Sequence, residues 1–71
     1  MTENEAKELL LKRLEQFADE EYPLAWIGRL IEDVPDAFVF EANVYNEGED
    51  PQTDSVYWVV RKSDGYCVPN L

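Results

Sequence analysis

The chain has no histidine, one cysteine, six basic residues and three glycines in 71 positions. Without histidine there is no Ser/His/Asp or Cys/His nucleophile, and the commonest transition-metal ligand is missing. No GxGxxG or GxxxxGK[ST] stretch is present to cradle phosphate, so the sequence points away from an enzyme and requires no cofactor. The lone Cys67 cannot close a disulfide within the chain, which leaves packing to hold the fold and fits a reducing compartment. No apolar run approaches the roughly 18 residues of a membrane span. The opening Met1-Thr2-Glu3-Asn4-Glu5 is acidic where a secretory signal would be basic, so the expected location is cytoplasmic with no membrane partner.

The scarcity of basic residues is matched by an abundance of acids. Sixteen acids against six bases give a formal charge of −10, which repels nucleic-acid phosphate and excludes direct nucleic-acid binding. Such charge serves solubility, or it engages a basic partner, including a nucleic-acid-binding protein whose ligand the acidic surface imitates. The loop acids Glu47, Glu49, Asp50 and Asp54 lack the Asp-x-Asp-x-Asp-Gly spacing of a calcium loop, and no metal site is expected. Cys67, beside Tyr66 and Val68, reads as a packed structural thiol. Glu41 is the one acid placed within the alternating strand that follows, where it reads as an exposed strand residue.

Thr2 followed by Glu5 forms a capping-box signature, so a helix begins here. Ala6, Leu9, Leu10, Leu14, Phe17 and Ala18 recur at helical spacing, with Leu11 at the margin of the stripe. Asp19, Glu20 and Glu21 oppose the helix dipole and Pro23 disfavours helical geometry at Tyr22, which places the helix end at residue 20 or 21. Residues 24 to 33 fit two templates. Leu24, Ile27, Leu30, Ile31 and Val34 have helical spacing, whereas Trp26, Ile27, Ile31 and Gly28 favour a strand, the preferred reading. Asp33-Val34-Pro35-Asp36 reads as the following turn.

From Ala37 the alternation is regular: Phe38, Phe40, Ala42 and Val44 lie on one face, and Val39, Glu41, Asn43 and Tyr45 on the other. Residues 46 to 54 contain nothing that packs and form a solvated loop. Ser55 to Lys62 is a strand, Asp64-Gly65 a tight hairpin turn, and Pro69 marks a short edge strand. The expectation is a single α+β domain over residues 1–71, with one helix on a three- to four-stranded antiparallel meander.

With Phe38, Phe40, Ala42, Val56, Trp58 and Val60 facing the helix, Val39, Tyr45, Tyr57 and Val59 face the other way, and no further element remains to cover them. That face is either simply solvated or a contact surface for a partner protein or a second copy of the chain. The stretch from Val56 to Val68, strand, Asp-Gly turn and strand, resembles the end of PepSY-like domains and of small YrhB-like immunity proteins. The resemblance implies a non-enzymatic binding or inhibitory module, and it assigns no functional residue.

Overall fold

The computed structural model describes residues 1–53 and 55–70. One helix, α1 (Glu3–Phe17), precedes four strands: β1 (Leu24–Val34), β2 (Ala37–Tyr45), β3 (Val56–Arg61) and β4 (Cys67–Asn70). The strands form one antiparallel sheet in the order β1-β2-β3-β4, the expected α+β meander in its four-stranded form. No helix among the described residues is long and apolar enough to cross a membrane.

The capping box is complete: the Glu5 amide donates to the Thr2 hydroxyl, and the Thr2 amide donates to the Glu5 carboxylate at 2.9 Å. The helix ends at Phe17, three or four residues earlier than the end at residue 20 or 21 expected from the acidic run and Pro23. The cause is Asp19, whose carboxylate accepts from the amides of Glu21 and Tyr22 at 2.9 and 2.8 Å. This local turn offers those amides an alternative to helix, and Ala18 already has an extended backbone.

Ala6, Leu10 and Leu14 are the fully buried stripe of α1, and they pack on Phe38, Phe40, Ala42, Trp58, Val60 and Cys67 from the sheet. Leu9 and Phe17, which share the expected stripe, lie at its margins with 36% and 49% exposure. The Phe17 ring meets Trp58 edge-on at 5.5 Å between centroids, and Leu9 covers Gly65.

β1 is a strand, as preferred, but an irregular one. Its register against β2 slips between Ile27 and Leu30 and again between Leu30 and Glu32. Each slip inserts one extra residue in β1, a β-bulge. The strand continues to Val34, so the turn is only Pro35 and Asp36, between the paired Val34 and Ala37. The β3–β4 connection is not the tight two-residue hairpin expected from Asp64-Gly65. The Gly65 amide donates to the Arg61 carbonyl at 2.8 Å, closing a single helical turn, and Gly65 takes φ 73° to exit it. Asp64 fixes that turn by accepting from the Tyr66 amide and pairing with Arg61.

Candidate functional site

The helix covers one face of the sheet, and the opposite face carries the residues of interest. Regular alternation in β2 and β3 places Val39, Tyr57 and Val59 there as a contiguous group: Val39 pairs with Val59, and Glu41 with Tyr57. Tyr57 is 46% exposed, while Val39 and Val59 are half-buried by their neighbours. Tyr45 lies apart. The β2–β3 pairing stops at Ala42–Val56, and Tyr45 sits beyond it opposite Leu24 of β1, about 13 Å along the strand from Glu41.

Glu41 departs from expectation, for it is buried at 7% exposure. The first bulge explains this. Gly28 and Arg29 together oppose Glu41 on β1, so the Arg29 guanidinium reaches across and donates to the Glu41 carboxylate at 2.7 Å. Tyr57 closes the other side through the β2–β3 register. The hydrogen bond to Glu41, the charge of that carboxylate and the proximity of Tyr57 raise the Arg29 pKa above its ordinary value, so the guanidinium stays charged. Its side chain is nonetheless 75% exposed, a cation held in place by a buried carboxylate.

Two further residues share the outer face beyond those expected from the sequence: Trp26 and Arg29. The Trp26 indole lies across Gly28, close enough that a β-carbon there would sit 2.4 Å from the ring. The Trp-x-Gly spacing within a strand is the sequence signal for this arrangement, since residues two apart share a face. Gly28, an isolated glycine inside the strand, is also the sequence signal for the bulge that positions Arg29.

Neither sheet edge invites a further strand. β4 is four residues long and contains Pro69, while β1 is broken by its two bulges. At the far end of the sheet the two acidic segments meet, where the Asn46 side chain donates to the Glu21 carbonyl at 3.2 Å. Asp19, Glu20 and Glu21 thus approach Glu47, Glu49 and Asp50, forming an acidic pole. Asp54 lies outside the described residues. Glu21 first, then Glu49, push the Tyr22 phenol above the usual tyrosine range. An open depression of about 220 Å³ lies in this pole, lined by Tyr22, Tyr45, Asn43, Glu49, Asp50 and Pro51 together with Val44. No group of three or more His, Cys, Asp or Glu among the described residues is placed to hold a metal ion.

Cys67 is buried in the core, and desolvation pushes its thiol above the ordinary value against the opposing charge of Arg13. Its Sγ–H donates to the Gly65 carbonyl at 3.4 Å. No family model matches the chain, and neither the curated proteins nor the solved structures yielded a match.

Proposed function

We propose that the chain is a non-enzymatic binding module, acting in the cytoplasm, that docks a basic protein partner on the outer face of its sheet. The observation that carries this reading is the composition of that face. Trp26, Arg29 and Tyr57 lie on the side of the sheet away from α1, and Trp, Arg and Tyr are the residue types that dominate interface hot spots. Arg29 is pre-ordered by Glu41, so less side-chain freedom is lost on binding. With both edges blunted, the face and not strand addition is the route to a partner. The binding role implied by the resemblance to PepSY-like and YrhB-like domains agrees.

A formal charge of −10 makes association with a second copy repulsive and steers a basic partner instead. The face spans roughly 20 by 20 Å from strand spacing and rise, about half the ~800 Å² per partner of a standard interface. The contact therefore extends beyond the face, and Tyr45 marks the direction toward the acidic pole.

The test is photo-crosslinking from a benzophenone side chain placed at Tyr57, with Lys12 on the helix as control. A specific adduct from position 57 and none from position 12 supports the reading; equal labelling from both refutes it. Sedimentation at rising concentration checks the oligomer, with a monomer expected. A dimer abolished by Tyr57→Glu would make a second copy the occupant of the face.

The gathering of six carboxylates at one pole favours a second reading, a nucleic-acid mimic that blocks the basic cleft of a DNA-binding protein. That activity depends on Glu47, Glu49 and Asp50 alone and falls steeply with salt, whereas face docking is lost on changes at Val39, Tyr57 and Val59 and loses only its charge-steered part with salt.

A further inference from the structure

The depression at the acidic pole has the composition of a receptor for an organic cation. Tyr22 and Tyr45 supply aromatic rings, Pro51 supplies an apolar wall, and Glu49 and Asp50 supply carboxylates. Each of these acids uses one oxygen within the loop: Glu49 accepts from the Asn46 amide at 3.2 Å, and Asp50 from the Gln52 amide at 3.0 Å. Those bonds fix the carboxylates in place, and among the described residues each has its second oxygen open to a ligand. Five of the protein's six basic side chains are engaged elsewhere, and the sixth, Lys12, lies on α1. The four ion pairs among the described residues are Lys7–Glu3, Arg29–Glu41, Arg61–Asp64 and Lys62–Asp33, and Arg13 lies over the Phe17 and Tyr66 rings. Glu21 and then Glu49 are the neighbours that raise the Tyr22 phenol, which places both carboxylates beside its ring.

We infer that this depression is a binding site for a single arginine or lysine side chain of the partner, held by Tyr22 and Tyr45 around its apolar stem and by Glu49 and Asp50 at its charged head. The volume of about 220 Å³ is below the ~300–1,000 Å³ of small-molecule pockets and suits one extended side chain. Aromatic faces attract such cations, and carboxylates pair with their donors, which sets the ligand's chemical class. The inference rests on the reading of a basic partner, and it specifies where that partner's anchoring residue goes.

The experiment is an amide-resolved NMR titration of the full chain with Nα-acetyl-arginine methylamide, with the uncharged citrulline analogue as control. Saturable shifts at Tyr22, Asn43, Tyr45, Glu49 and Asp50, with a dissociation constant on the order of millimolar, are expected from the arginine probe alone. Glu49→Gln with Asp50→Asn keeps the amide oxygens that hold the loop and should weaken binding about fivefold. Tyr45→Leu should weaken it about two- to fivefold. The inference fails if both probes act alike, if no saturable shift appears, or if the shifts spread evenly to acids elsewhere such as Glu8, Glu15 and Asp36. Failure here leaves the crosslink from position 57 unaffected, so the pocket and the face are judged separately.

Discussion

Replacing Gly28 by alanine isolates the device that shapes the outer face. A β-carbon at Gly28 would stand 2.4 and 2.6 Å from two atoms of the Trp26 ring. Carbon atoms pack at about 3.5–4.0 Å, so the indole must retreat by more than about 1 Å. Lifting one ring face exposes roughly 50 Å², worth about 1.2 kcal/mol at ~25 cal/mol per Å². An off-rotamer tryptophan adds about 0.5–1.5 kcal/mol. Against this stands a gain of about 0.4–1 kcal/mol from restricting the unfolded chain. That gain applies because the glycines with positive φ are Gly48 and Gly65, and Gly28 adopts a backbone open to other residues. The net expectation is a loss of about 1–2 kcal/mol, measured by urea denaturation followed by circular dichroism, accompanied by a red shift of tryptophan emission. The decisive step is to repeat the change in a Trp26→Ala background. With the ring gone only the favourable part remains, and Gly28→Ala should stabilise by about 0.4–1 kcal/mol. If alanine costs the same in both backgrounds, the indole does not lie on Gly28 and the description of the outer face is wrong.

Leu10→Ala should cost about 2–5 kcal/mol, much of the stability of a domain this small, whereas Leu9→Ala should cost clearly less because Leu9 is 36% exposed and Leu10 fully buried; thermal denaturation of both variants checks the order. Asp19→Ala removes the acceptor for the Glu21 and Tyr22 amides, so both should exchange faster with solvent, and hydrogen exchange by NMR reads this directly. The Thr2 amide and then the Thr2 hydroxyl hold the Glu5 carboxyl below its ordinary 4.5. A depressed acid contributes stability above its unfolded pKa and loses it as pH falls through the lowered folded value. The stability advantage of the native chain over Glu5→Gln should therefore be full above pH 4.5 and shrink below it; an advantage that is flat with pH would contradict the capping contact.

Much of the fold is legible in the residues because local signals agree with the packing. The Thr2–Glu5 box starts α1, and the unbroken alternation of β2 and β3 assigns each side chain to the helix face or the outer face. The helix end is less legible, since Phe17 and Ala18 continue the apolar spacing while the Asp19 carboxylate captures the next amides. β1 has a specific source of ambiguity. Its helix-facing register positions are Ala25, Ile27, Leu30 and Asp33, spaced two, three and three apart because each bulge adds a residue. A bulged strand thereby imitates helical spacing. Asp33 ends that row without an apolar side chain because Lys62, lying over the Phe38 ring at 4.3 Å, reaches it at 2.6 Å.

The same bulges explain which part of the candidate site could be read and which could not. Val39, Tyr57 and Val59 lie on regular strands, so a period of two suffices to group them. Arg29 cannot be found that way, because strict alternation from Ile27 sends it to the helix face. Only the extra residue opposite Glu41 returns it to the outer one. Once there it supplies the opposite charge that a carboxylate inside a sheet face requires, which is how Glu41 is buried where alternation alone predicts exposure. The burial of Glu41 and the fixed position of Arg29 are thus consequences of one irregularity in β1. The regular strands provide Val39, Tyr57 and Val59 of the face, and the irregular strand provides Trp26 and Arg29.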